Sequence, residues 1–140
     1  PRSRHDGRRA ARQASLSRPS RPAHVQSAQH ASNTASLLTA MDPPFVGALT
    51  TTVIPNTPLF DEQASGHFQL PDKFQLLDEL RVLIQEGEFS NCRFSSNHAS
   101  NYLPLRSTLP GDKAELLSIL DKVISQRDER FLKPERLRGL

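Results

Sequence analysis

The residues best suited to chemistry lie in one short stretch, SSNHASNY, at positions 95–102. It follows an apolar alternation of Phe89, Cys92 and Phe94, which predicts a strand over residues 90–95. The hydroxyls, amides and imidazole of the stretch can pair with a nucleoside or a similarly polar ligand without burying net charge. Because α/β proteins bind ligands at the carboxyl ends of parallel strands, this loop is a candidate site. A polar surface loop is the alternative interpretation.

A second group of candidate residues follows an earlier apolar segment. β-Branched and apolar residues over 46–54 predict a strand covered on both faces. It runs into residues 55–58, where Thr57 can cap a short helix whose free N–H groups point above the strand. A plain strand-to-helix turn is the alternative here. The complete candidate set is Asn97, His98, Ser100, Asn101, Tyr102, Asn56 and Thr57.

Three longer helices are predicted around these strands. Small and apolar residues at three- and four-residue steps indicate a helix over 24–41, which ends before Pro43. A D-x-x-Q capping box predicts a helix over 72–86, and a similar D-x-x-E pattern predicts one over 112–126. These helices would cover the strands and position the candidate loop.

The order helix, strand, helix, strand, helix predicts an α/β fold. The connections are too long for a hairpin, so we expect parallel strands joined by a right-handed crossover. Two parallel strands leave an open edge and uncovered apolar surface. The sequence therefore indicates a piece of a larger α/β barrel or sheet.

Three segments carry a resemblance to a known family: DPPFVGALTTTVIPNTPLF, SNCRFSSNHASNYLPLRSTLPGDKAELLSILD and FLKPERLRGL. They resemble the C-terminal part of radical S-adenosylmethionine (radical SAM) proteins, over residues 24–140, and SNHASNYLPL is the most specific piece. Glycine is usual in that family at Asn56 and Ser107, and arginine is common at Ser96. The resemblance implies the C-terminal βαβα arc of a (β/α) barrel of TIM-barrel type. It also implies that the candidate residues border the pocket for S-adenosylmethionine and substrate.

The resemblance further implies cofactors that this chain does not hold alone. The family binds a four-iron, four-sulfur (4Fe-4S) cluster through three cysteines in a C-x3-C-x2-C loop and cleaves S-adenosylmethionine to a 5′-deoxyadenosyl radical. Cys92 is the single cysteine of this chain. We therefore expect a fragment, beginning at Pro1, that is inactive alone and whose partner is the missing N-terminal part of the barrel. The substrate is not indicated.

The N-terminal 23 residues differ in composition from the rest. The net charge is +3, and residues 1–24 hold seven arginines against Asp6. Low apolar content predicts a disordered Arg/Ser-rich arm outside the fold, which is assigned to residues 24–140. A non-catalytic module with a nucleic-acid-binding arm is the alternative function, and an organelle transit peptide is another interpretation of the arm. We expect neither, because the basic face or stacking aromatics that accompany a nucleic-acid arm do not follow, and a truncated or out-of-frame gene product accounts for the arm at least as well.

The remaining residues that could bind a metal or catalyse a reaction are better interpreted as structural. The pair Cys92 and His98 resembles a nucleophile and base, but Cys92 lies on the apolar phase of its strand. The five histidines lack the spacing of metal ligands, and no glycine-rich phosphate loop occurs. With one cysteine there is no internal disulfide, which suits a cytoplasmic protein. No apolar run approaches the roughly 18 residues of a membrane span.

Overall fold

The computed structural model describes residues 23–139, with side chains from Gln26 onward. The predicted arm, residues 1–23, lies outside the described residues apart from Ala23, which begins the first helix. In chain order, the helices and strands are α1 (Ala23–Met41), β1 (Phe45–Gly47), α2 (Pro58–Ala64), α3 (Lys73–Glu86), β2 (Cys92–Ser95), β3 (Arg106–Leu109) and α4 (Lys113–Gln126). Single 3-10 turns follow at Glu129–Phe131 and Glu135–Leu137.

The three strands form one mixed sheet in the order β1-β2-β3. β1 pairs in parallel with β2, with Val46 opposite Phe94, and α3 lies between them in the chain. This confirms the predicted α/β class and the predicted parallel pairing. β3 pairs antiparallel with β2, with Cys92 opposite Leu109, and it was not predicted. The sheet is therefore not purely parallel.

The strand predicted over residues 46–54 is wrong in length, because β1 covers only Phe45–Gly47. Its last ladder contact is the Ala48 N–H, which donates to the Ser95 carbonyl over 2.9 Å. Beyond Ser95 the partner strand turns into the loop, so the following residues have no strand beside them within residues 23–139. Leu49 is consequently 65% exposed.

Helix caps explain where the longer helices begin. The Asp72 carboxylate accepts from the backbone N–H groups of Phe74 and Gln75, and the Gln75 side chain accepts from the Asp72 N–H, which confirms the predicted capping box. The second predicted box, at Asp112, is wrong. Its carboxylate accepts instead from the Thr108 N–H at 2.6 Å and so belongs to the turn after β3.

The helices cover one face of the sheet and leave the other open. Cys92, Phe94 and Leu109 point into the core, whereas the alternating residues Arg93 and Thr108 are exposed. The buried cluster consists of Phe74, Leu77, Ile84, Phe89, Cys92, Phe94, Leu105, Leu109, Leu116, Leu120, Val123 and Leu132. The sheet thus has an apolar inner face and a polar outer face.

Helix α1 lies against α3 and completes the helical layer. It buries its small residues Ala31 and Ala35, which allow the two helices to approach closely. The helix ends at Met41, as predicted, and the Asp42 carboxylate then accepts from the Ser90 N–H at 2.9 Å. None of the helices within residues 23–139 combines the length and apolar character needed to cross a membrane.

Candidate functional site

Ser96 closes the candidate loop on itself. Its hydroxyl donates to the Leu103 carbonyl at 2.9 Å and accepts from the Leu105 N–H at 3.1 Å. The side chain is buried, so both bonds are protected from water. These bonds satisfy backbone groups of the loop and bring its two ends together. In this position the hydroxyl acts on the loop backbone.

Asn101 joins the loop to the chain that continues from β1. Its side-chain nitrogen donates to the carbonyls of Ala48 (2.7 Å) and Ser96 (2.9 Å), and its side-chain oxygen accepts from the Thr50 hydroxyl (2.8 Å). Asn101 is buried, and these contacts use both amide hydrogens. The arrangement suits a residue that fixes the position of the loop.

His98 and Ser100 form a small cluster at the tip of the loop. The Nδ1 atom of His98 lies 3.0 Å from the Ser100 hydroxyl and accepts from the Ser100 N–H at 3.2 Å. Ser100 is buried, while His98 is exposed. The imidazole therefore reaches solvent on one side and steadies the loop tip on the other.

Tyr102 is the docking point for the C-terminal tail. The Arg138 guanidinium stacks on its ring at 3.9 Å from the ring centroid and donates to its hydroxyl at 2.6 Å. The hydroxyl in turn donates to the Glu135 carboxylate at 2.9 Å. Burial, and then the hydrogen bond to Glu135, raise the pKa of Tyr102, so the phenol stays protonated at neutral pH. This side chain holds the tail against the loop.

Asn56 and Thr57 occupy a separate turn. Thr57 caps α2, since its hydroxyl accepts from the Phe60 N–H at 3.3 Å, and it also donates to the Ile54 carbonyl at 2.7 Å. This agrees with the predicted cap. Asn56 has a φ of 64°, a left-handed conformation that asparagine tolerates and glycine adopts freely. Neither residue lines the two cavities described next.

An inner cavity of about 420 Å³ lies between α1, α3 and the loop. Leu38, Leu80 and Leu83 supply apolar wall, and Ser96, Asn101 and Tyr102 border it at the loop end. Because Ser96 and Asn101 are already bonded to backbone, the polar atoms they offer to a ligand here are few. The cavity is mainly apolar.

A second concavity, the open-face cleft, lies on the uncovered side of the sheet and encloses about 560 Å³. Its lining comprises Phe45, Arg93, Phe94, Ser95, Asn97, Arg106, Ser107 and Thr108. Asn97 stands between Ser95 and Arg106: with its amide oxygen toward the guanidinium, it accepts from Arg106 Nε at 3.2 Å and donates to the Ser95 hydroxyl. Asn97 is the one candidate loop residue that lines this cleft.

Sequence reasoning missed Arg93, Arg106 and Phe45. The signal for Arg93 was present, because it alternates with the buried Cys92 and Phe94 and must point to the opposite face. Arg106 could be found only with β3 in place. The antiparallel register sets Arg106 opposite Ser95 and so brings it to the cleft.

The cysteine chemistry of this chain does not fit a cluster held by three thiolates. Cys92 is the single cysteine, it is completely buried in the core, and burial raises the pKa of its thiol, with the nearby Asp42 charge adding to the effect. Across residues 23–139, no three His, Cys, Asp or Glu side chains are grouped so as to hold a metal ion.

Comparison with known proteins supplies no relative: no protein-family description, no curated protein and no solved structure matches the chain. None of the three comparisons therefore suggests a ligand, a substrate or a partner. What the chain can do has to follow from the geometry of the sheet, the loop and the open-face cleft.

Proposed function

We propose that the chain is part of the wall of a radical SAM-type (β/α) barrel, with the open-face cleft bordering the pocket for S-adenosylmethionine and substrate. The observation that carries the proposal is the two-sided character of the sheet. Helices cover the face with Cys92 and Phe94, while the opposite face bears Arg93, Ser95 and Thr108. A barrel wall likewise has helices on its outer face, and its site residues lie at the carboxyl ends of the strands, where Ser95 and Asn97 lie in this chain.

Strand order supports the same proposal. β1 and β2 are parallel neighbours with α3 between them in the chain, which is the repeating unit of such barrels. The outer edge of β1 pairs with no strand within residues 23–139, so a preceding barrel strand can add there. β3 departs from an all-parallel barrel, and we infer that the arc ends at this strand.

The residues divide into two roles under this proposal. Asn97, at the carboxyl end of β2, faces the ligand pocket, and the exposed side of His98 lies at its mouth. Ser96, Ser100 and Asn101 hold the loop by bonding its backbone and its neighbours. Asn56 and Thr57 shape the turn before α2 and do not contact the ligand.

The radical chemistry of the family needs a cluster that this chain does not supply. Bound S-adenosylmethionine would be the source of the 5′-deoxyadenosyl radical once a cluster delivers an electron. The chain's own contribution is to orient the ligand and exclude water, and the partner is the cluster-binding part of the barrel. The single thiol suits the reducing cytoplasm.

The proposal is tested by combining the full chain with a cluster-binding N-terminal part of a radical SAM barrel and titrating the assembly with S-adenosylmethionine while following the chain's backbone amide resonances. We expect shifts concentrated at Ser95, Asn97 and Arg106, and we expect Asn97→Ala to weaken binding about fivefold by removing a hydrogen-bonding amide. Asn91→Ala is the matched control, because Asn91 is an exposed asparagine at the amino end of β2. Equal weakening by both variants, or shifts confined to the inner cavity, would refute the proposal.

A further inference from the structure

We propose that the open-face cleft is a binding site for an oxyanion, a phosphate or carboxylate group of a small molecule, held by Arg93 and Arg106. The two arginines lie on neighbouring strands and on the same face, since Arg93 is opposite Thr108 and Arg106 is opposite Ser95. They are therefore diagonal neighbours, roughly 7 to 8 Å apart along the sheet. Two flexible guanidinium groups at this separation can converge on one anion.

The charges of this face are not compensated by acids. Six ion pairs occur within the described part of the chain, and they involve Arg81, Arg127, Arg130 and Arg138 but neither Arg93 nor Arg106. No aspartate or glutamate is among the eight residues that line the cleft. The acid at its edge, Asp112, accepts from the Thr108 N–H at 2.6 Å. The cleft thus presents two cationic groups without a partner carboxylate of their own.

The uncharged residues of the cleft orient Arg106 and add hydrogen-bonding groups for a ligand. In the amide orientation that satisfies both of its neighbours, Asn97 accepts from Arg106 Nε at 3.2 Å, and this bond orients the guanidinium while leaving its charge intact. The hydroxyls of Ser95 and Thr108 stand on the same face and can donate to an anion. Phe45, 58% exposed, adds apolar surface beside the charges. Charge, hydroxyls and an aromatic ring together suit a small organic anion.

The inference needs only the residues of the cleft, so it stands independently of the barrel proposal. The full chain is titrated with inorganic phosphate and, separately, with acetate, at constant ionic strength set with chloride. We expect saturable shifts of the Arg93, Ser95, Arg106 and Thr108 resonances. Arg93→Gln and Arg106→Gln should each weaken binding about fivefold, because each removes a charge-assisted hydrogen-bonding group.

Arg136→Gln is the matched control, since it removes the same charge from an exposed arginine in the C-terminal 3-10 turn. It should change the dissociation constant less than about twofold, because Arg136 does not line the cleft and exposed charges outside it are screened by salt. Tighter binding of phosphate assigns a phosphate ligand, and tighter binding of acetate assigns a carboxylate. Equal weakening by all three variants, or no saturable shift with either anion, would overturn the site. Anion binding without S-adenosylmethionine binding would refute the barrel proposal and would leave the anion site supported.

Discussion

The side-chain nitrogen of Asn101 lies 2.7 Å from the carbonyl oxygen of Ala48, a residue 53 positions earlier in the chain. This bond ties the loop after β2 to the segment that continues from β1, where the strand ladder has already ended. An asparagine that the sequence offers as a ligand-binding residue is thus placed as a link between two backbone segments. Its mutation should affect folding more than binding.

We expect Asn101→Ala to lower the free energy of unfolding by about 2–4 kcal/mol, because it removes hydrogen bonds from buried carbonyls. His98→Ala is the comparison within the same loop, and since His98 is exposed its effect should stay within about 0.5 kcal/mol. Urea denaturation followed by circular dichroism measures both. A change below about 0.5 kcal/mol for Asn101→Ala would contradict the structural role of this residue.

In contrast to Asn101→Ala, the substitution Ser107→Ala should stabilise the protein. The Ser107 hydroxyl is buried and has no hydrogen-bond partner within the described residues. Ser107→Ala removes this unsatisfied group, and we expect the free energy of unfolding to rise by about 1 kcal/mol. Ser96→Ala is the matched control, because its buried hydroxyl makes two hydrogen bonds, and it should destabilise. Destabilisation by both variants would show that the Ser107 hydroxyl is bonded in solution.

The ionisation of Asp42 should account for part of the loss of stability of the fold in acid. Hydrogen bonding from the Ser90 side chain, and then from its backbone N–H, holds the pKa of the Asp42 carboxyl below its usual value of 3.8. Its stabilising contribution is therefore present above the usual value and is lost as the pH falls through the lower folded value. We expect Asp42→Asn to show a smaller loss of melting temperature than the parent chain between about pH 6 and pH 2. Parallel pH profiles for the two proteins would rule this out.

Cys92 should be protected from thiol reagents. It is completely buried, and the pKa of its thiol is raised by burial, so little thiolate forms in the folded chain. We expect labelling by an uncharged maleimide to be slower by on the order of 100-fold in the native protein than in urea, since it requires opening of the core. Similar rates in both conditions would show that the sheet and helices do not cover this side chain.

Local signals predicted much of the fold. Sequence patterns correctly predicted the capping box at Asp72, the helix end at Met41 and the Thr57 cap, because each depends on residues close in sequence. The parallel pairing of β1 and β2 followed from apolar segments separated by a helix. The caps and the helix end depend on nearby residues, and the pairing was inferred from the order of the elements along the chain.

The features that were not predicted depend on which distant residues pair and where that pairing stops. β3 is four residues long and contains RSTL, which has little apolar pattern of its own, so only its pairing with β2 makes it a strand. β1 was predicted too long because apolar residues beyond Gly47 mark a potential strand without showing where its partner ends. Asp112 offered a helix cap, but the Thr108 N–H competes for the same carboxylate.

The candidate site shows the same division. Its polar loop was identified from composition, but composition cannot tell which amides bond to backbone and which face a ligand. Asn101 points inward to Ala48 and Ser96, whereas Asn97 points outward to Arg106. The difference comes from the antiparallel hairpin. It places Arg106 beside Asn97 on the open face, whereas the Asn101 side chain is buried against the Ala48 and Ser96 carbonyls.

The sheet also implies an order in which its parts open. Ser95 and Arg106 pair across a short connection, whereas Phe45 pairs with Arg93 across the whole of α2 and α3. Closing the longer loop costs more chain entropy, and only the three residues of β1 contribute strand pairing to offset that cost. We therefore expect the hairpin of β2 and β3 to form before β1 pairs, and β1 to be the first strand to detach. Amide hydrogen exchange should be faster at Val46 than at Phe94, although the two residues face each other in the ladder.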